Sequence, residues 1–231
     1  MFSSESLVPG VKFILAALLL LLAAGLQDDL LHLSWFVRIM VVVGAAAIIT
    51  DVAGMPLFRT GLGVVFDYPL PDLLVTYAIY TGCVVLLIAT SRIPGMVSLI
   101  LIVNAVALAL MFLKSGFPEL AILPVALAGA SMTLFISSVG NYVFEGRASA
   151  LAGGFMLAML IIYSYNIGNN LVVDNSALFI IFLALIIIPS LVISKVIRWE
   201  HSSLLIFGKQ YSLFIVQMLL MVVLLLFLFI L

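Results

Sequence analysis

Two adjacent carboxylates, Asp28 and Asp29, are the residues of this sequence best suited to chemistry. They follow the first long apolar stretch directly and stand just ahead of His32. Such a pair suits a hard cation, because Mg²⁺ in proteins is commonly held by one or two carboxylates together with the phosphates of a substrate. A polar helix end in contact with water would have the same sequence. His32 is a further candidate metal ligand, although a single histidine at a membrane interface is more often only solvated.

The elements that carry these residues must lie in a lipid bilayer. Of the 231 residues, 66% are hydrophobic and 8% are charged, whereas soluble domains are roughly 45–50% apolar and about 25% charged. The net charge of −1 gives no general electrostatic case for binding nucleic acid. A single cysteine, Cys83, excludes an intrachain disulfide framework and a thiolate metal cluster.

Eight stretches of the chain are long and apolar enough to cross a membrane, which takes about 20 mostly apolar residues. We predict spans at 9–27, 36–54, 71–90, 96–113, 118–139, 148–165, 176–197 and 207–231. The stretches are too long for the strands of an outer-membrane barrel and show no strand-like alternation. The sequence therefore predicts an all-α, polytopic transmembrane helix bundle of about eight spans, with residues 1–231 forming a single integral-membrane domain.

The basic residues predict the orientation of the bundle. If the joint after the first span faces the cytoplasm, that side carries Arg38, Arg92, Arg147, Lys195, Arg198 and Lys209. The other side then carries only Lys12, Arg59 and Lys114. Cytoplasmic loops of membrane proteins carry an excess of Lys and Arg. We therefore expect both termini to lie outside the cytoplasm.

Four segments of the chain occur in the order of the motifs of one membrane enzyme family. They are LQDDLLHLS at 26–34, IATSRIPGMVSL at 88–99, VFEGRASA at 143–150, and Ile188–Pro189 with basic residues downstream. By these segments the chain resembles the polyprenyl-phosphate sugar-1-phosphate transferases. That family includes the enzymes that place phospho-N-acetylmuramoyl-pentapeptide or N-acetylglucosamine phosphate on undecaprenyl phosphate.

The resemblance carries implications for location and partners. It implies a bacterial-type inner (cytoplasmic) membrane and a role in the biosynthesis of envelope polysaccharide or glycolipid. It also implies a membrane lipid such as polyprenyl phosphate as a partner, and a homo- or hetero-oligomer with other membrane subunits. The chain begins at what would be the third span of the family's bacterial members.

Most acids of the family's motifs are replaced in this chain. The positions of five of those aspartates are occupied by His32, Pro94, Val97, Arg147 and Val192. Arg147 brings a permanent positive charge to a place where the resemblance implies Mg²⁺. Asp28 and Asp29 alone are too few to hold a catalytic metal in the family's manner. The resemblance therefore implies a catalytically degenerate relative, a pseudoenzyme, with no catalytic residue and no expected cofactor.

One hypothesis for such a pseudoenzyme is that it still binds a lipid phosphate at the cytoplasmic face. Guanidinium groups match the oxygens of phosphate, and arginines could substitute there for the lost cation. The candidate residues for this site are Asp28, Asp29, Arg38, Arg92, Arg147 and Arg198. The competing interpretation is that the arginines only mark the interface and pair with neighbouring acids.

Three other hypotheses remain open from the sequence. A membrane scaffold is one, because Gly146, Ala150 and Gly154 recur on one helix face, as do Ala126 and Ala130, although internal packing of the bundle explains the same pattern. An active transferase with a relocated metal site would need Mg²⁺. A transporter is disfavoured, because no predicted span carries a charged residue near its middle.

Overall fold

A computed structural model describes residues 11–52, 70–91, 95–114, 116–139 and 146–168. Within these ranges the chain forms six helices and no strand, which confirms the predicted all-α class for the described part. The helices are α1 (Val11–Leu31), α2 (Trp35–Ala47, continued by a π-helical segment, Ile48–Val52), α3 (Leu70–Thr90), α4 (Met96–Lys114), α5 (Ile122–Val139) and α6 (Arg147–Gly168). The predicted spans 176–197 and 207–231 lie outside the described residues.

Five of the described helices are long and apolar enough to cross a membrane. They are α1, α2 with its π-helical segment, α3, α4 and α6, whereas the apolar part of α5 is shorter, at Ile122–Ser138. The 21 residues of α1 correspond to about 32 Å of helix, which matches a hydrocarbon core about 30 Å thick. A helix satisfies its own backbone hydrogen bonds, so these apolar stretches form helices in lipid. The helices define a membrane-embedded bundle.

Two helix boundaries differ from the predicted spans by four residues. The prediction ended the first span at residue 27, but α1 continues to Leu31, so Asp28 and Asp29 lie in its last turn. The prediction began the fifth span at 118, but α5 begins at Ile122. Gly116 there has a φ of 79°, and the N–H of Ala121 donates to the carbonyl of Pro118 (3.2 Å). These turns take up the residues that the sequence assigned to the helix.

Helix α6 lies at the centre of the described bundle. It packs against α1, α3 and α4, whereas α5 packs mainly against α4. The core between the helices contains large side chains that are fully buried, among them Phe112 and Phe155. The ring of Phe155 stacks on Tyr80 of α3, with 4.6 Å between ring centroids. Helix α6 is therefore in contact with three different helices of the bundle.

Glycines allow the closest approaches of α6 to its neighbours. A Cβ atom on Gly25 would overlap the backbone of Ala148, and one on Gly154 would lie 3.1 Å from the Cα of Val84. Gly25 and Ala148 lie near the end of α1 and the start of α6, respectively. The chain therefore brings the end of α1 and the start of α6 to the same end of the bundle.

Replacing Gly25 with alanine is expected to force α1 and α6 apart. The added methyl group meets backbone atoms, which cannot move aside as a flexible side chain can. We expect the free energy of unfolding in detergent to fall by about 1–3 kcal/mol. Gly129→Ala is the matched control, because a Cβ there meets no atom within 4 Å; alanine favours a helix over glycine by about 1 kcal/mol. Equal stability of the two variants would contradict this packing.

Candidate functional site

The carboxylate of Asp28 is the centre of the polar cluster at this end of the bundle. Its side chain is fully buried, and its Oδ1 accepts hydrogen bonds from Nη2 of Arg38 (2.8 Å) and Nη1 of Arg147 (3.2 Å). The same oxygen accepts the backbone N–H of Leu33 at 2.8 Å. Nε of Arg38 lies 2.8 Å from Oδ2, an ion pair without hydrogen-bond geometry. One carboxylate therefore connects α1, α2 and α6.

The local sequence between α1 and α2 brings Arg38 to Asp28. The N–H of His32 donates to the carbonyl of Asp28 (3.0 Å), and His32 adopts a φ of 50°, in the left-handed region that commonly ends a helix. Ser34 then caps α2, with its hydroxyl 3.5 Å from the N–H of Val37. Arg38 follows one turn into α2, where its guanidinium lies 5.4 Å from the centre of the Trp35 ring, a cation–π arrangement.

Asp29 binds the first turn of α6. Its Oδ1 accepts the backbone N–H of Arg147 (2.8 Å), and its Oδ2 lies 3.4 Å from the N–H of Ala148. The first N–H groups of a helix have no partner inside the helix, and the helix dipole favours a negative charge there. A Cβ on Gly146 would overlap Oδ2 of Asp29, so a larger residue there would displace this carboxylate from the helix N–H groups. An acid from α1 thus caps a helix that begins 118 residues later.

We call Asp28, Asp29, Arg38 and Arg147 the charged cluster. It contains two carboxylates and two guanidinium groups, so these formal charges cancel. The exposed fraction of the side chain rises from 0% for Asp28 to 12% for Arg38 and 32% for Arg147. Asp29 is exposed. His32 lies at its edge, with Nδ1 3.4 Å from Nη1 of Arg147. The cluster therefore has a buried ion pair at its base and an exposed guanidinium and carboxylate at its surface.

The structure brings four of the six predicted site residues together, namely those of the charged cluster. The other two, Arg92 and Arg198, lie outside the described residues. The sequence also gave no sign that the N–H of Leu33, the ring of Trp35 and the missing side chain of Gly146 take part. A glycine directly before the first arginine of an apolar helix is the only signal that could have indicated Gly146.

The described residues do not fit a bound Mg²⁺ ion. Oδ1 of Asp28 already has three donors, and Oδ2 faces Nε of Arg38. Both oxygens of Asp29 face backbone N–H groups. Among the residues that the structure describes, no group of three or more His, Cys, Asp or Glu side chains is placed to hold a metal. A cation at Asp28 would also lie beside two arginines, whose positive charge opposes it.

Comparison of the chain with protein-family models, with curated proteins and with solved structures gives no match.

Replacing Arg38 with methionine is expected to destabilise the bundle strongly. It leaves the buried Asp28 carboxylate with a single guanidinium, and breaking a buried ion pair on one side costs about 3–5 kcal/mol. Thermal or denaturant unfolding in detergent measures the loss. Adding Asp28→Asn to the same chain removes the uncompensated charge, so we expect the double variant to be less destabilised than the sum of the single variants, by about 1–3 kcal/mol. Strict additivity would show that the pair is not coupled.

Proposed function

We propose that the protein is a non-catalytic membrane subunit that binds the phosphate headgroup of a membrane lipid, polyprenyl phosphate being the first candidate. In this proposal it is a degenerate relative of the polyprenyl-phosphate sugar-1-phosphate transferases and serves envelope polysaccharide or glycolipid biosynthesis. The observation that carries the proposal is that both acids, Asp28 and Asp29, already accept from donors of the protein itself. Asp28 is held by arginines and Asp29 by helix N–H groups, so both acids already have donors and offer little to a cation, whereas the half-buried Arg147 is still able to meet an anion.

Arg147 has the properties expected of a group that contacts the phosphate. Its Nη1 binds Asp28, but among the described residues its Nε and Nη2 donate no hydrogen bond. The side chain is about one-third exposed and belongs to the first residue of α6, a helix long enough to span a membrane, and we therefore place it at the level of the lipid headgroups. A guanidinium presents paired N–H groups that match two oxygens of a phosphate. Arg147 can therefore bind a phosphate without leaving Asp28.

Arg38 holds the carboxylate of Asp28 in place. It is more deeply buried than Arg147 and is held on both nitrogens that face Asp28. Its positive charge lowers the cost of keeping Asp28 ionised in a buried position. We assign Arg38 to fixing the carboxylate and Arg147 to contacting the ligand.

A membrane scaffold is the second candidate, and one observation favours it. Ala126, Gly129 and Ala130 of α5 are exposed, whereas Ala150 of α6 is buried and Gly154 packs against α3. Exposed small residues allow another helix to approach closely in a membrane. The small residues of α6 are therefore used within the bundle, and those of α5 are the ones that support a docking role.

Binding of undecaprenyl phosphate tests the main proposal. We expect saturable binding to the protein in nanodiscs, and much weaker binding of undecaprenol, which lacks the phosphate. Arg147→Gln is expected to weaken the affinity about 10- to 100-fold, because it removes hydrogen bonds to a charged group. Lys114→Gln is the matched control, since it removes one positive charge from the last turn of α4, a helix that contributes no residue to the charged cluster. The proposal fails if undecaprenol binds as well as the phosphate, or if Arg147→Gln binds normally.

A transfer assay separates this proposal from an active transferase with a relocated Mg²⁺ site. We expect no transfer of labelled sugar phosphate from a nucleotide sugar to undecaprenyl phosphate, with or without added Mg²⁺, because both acids already have protein donors. Mg²⁺-dependent transfer that Asp28→Asn abolishes would overturn the non-catalytic proposal.

A further inference from the structure

We infer that the two adjacent acids act on the bound phosphate in opposite directions: Asp28 positions the guanidinium groups that bind it, and Asp29 competes with it. This inference rests on the proposed function and names the regulation of the same site. Asp28 and Asp29 are neighbours in sequence with the same charge. The structure nevertheless gives them different burial and different partners.

Asp28 is a positioning residue. It is fully buried, and a single oxygen receives Nη2 of Arg38 and Nη1 of Arg147. Without that oxygen the two guanidinium groups would repel each other at close range. Arg147 would then turn away from Arg38 towards water, and its Nε and Nη2 would no longer be held in one orientation. Loss of the Asp28 charge therefore disperses the positive groups that bind the phosphate.

Asp29 is an internal competitor. Its carboxylate is exposed, and it approaches the same residue, Arg147, through the backbone N–H (2.8 Å). The formal charges of the charged cluster cancel, so the exposed carboxylate of Asp29 offsets part of the attraction that Arg147 exerts on a lipid phosphate. Asp28 is fully buried, whereas Asp29 is exposed and, among the residues that the structure describes, accepts only from backbone N–H groups. Asp29 is therefore the acid that competes with the phosphate.

The matched pair Asp28→Asn and Asp29→Asn tests the inference, since each variant removes one negative charge at adjacent positions. The affinity for undecaprenyl phosphate is measured in nanodiscs, with inorganic phosphate as a second probe that separates a headgroup site from a site for the free anion. We expect Asp29→Asn to bind the lipid about tenfold more tightly, because a nearby like charge is removed. We expect Asp28→Asn to bind it about tenfold more weakly. Asp51→Asn, at the far end of α2, should leave the affinity unchanged.

The outcomes distinguish this inference from the proposed function. Tighter binding by both cluster variants would mean simple charge repulsion and would overturn the role of Asp28; weaker or unchanged binding by Asp29→Asn would overturn competition. Binding by Asp29→Asn but not by the unaltered chain would support competition but would overturn the proposed function of the unaltered chain. No binding by any of the chains overturns the proposed function together with the inference. Inorganic phosphate that binds as tightly as undecaprenyl phosphate would assign the site to the free anion.

If Asp28→Asn fails to fold, Asp28→Glu tests the positioning role instead. Asp28→Glu keeps the charge and moves the carboxylate by one methylene group, so charge alone predicts no change. The positioning role predicts weaker binding of undecaprenyl phosphate, and unchanged binding by a folded Asp28→Glu protein would overturn it. Asparagine at position 29 keeps an oxygen that accepts a helix N–H, so the Asp29 variant retains the start of α6.

Discussion

The buried carboxylate of Asp28 is the interaction on which the charged end of this protein depends. A carboxylate withdrawn from water is costly unless donors replace its hydration. Here a backbone N–H and two guanidinium groups do so, and they come from the α1–α2 turn, α2 and α6. Asp28 of α1 stays buried because α2 and α6 supply its guanidinium donors, and Arg38 and Arg147 are in turn held by that carboxylate. The cluster thus fixes the mutual arrangement of the helices as well as its own electrostatics.

Much of the helical architecture follows from the sequence because lipid allows few alternatives. Long apolar stretches must satisfy their own backbone, so five predicted spans correspond closely to described helices. The turn before α5 was missed because proline is favoured at the first position of a helix, whereas here Pro118 lies in turns that follow the left-handed Gly116. The sequence also indicated that Asp28, Asp29, Arg38 and Arg147 share one side of the membrane. It could not indicate which acid meets which arginine.

That pairing depends on packing between residues far apart in the chain. Asp28 and Arg147 are separated by 119 positions, and they meet because Gly25 lets α1 approach Ala148 of α6. The distinction between Asp28 and Asp29 has the same origin. Neighbouring residues on a helix point about 100° apart, so one faces the interior and the other faces the start of α6. Two identical side chains thereby acquire different environments, which composition and spacing do not reveal.

The separations along the chain also imply an order of assembly. Asp28 and Arg38 are only 10 residues apart and belong to consecutive helices, so both partners of this ion pair are present in the chain long before α6 has been synthesised. An Asp28–Arg38 pair formed in this first hairpin would neutralise one acid, which lowers the cost of carrying charge into a lipid environment. Arg147 arrives later, together with the helix N–H groups that Asp29 accepts. The contacts of Arg147 and of the first turn of α6 thus add to the arrangement of α1 and α2 that the Asp28–Arg38 pair favours.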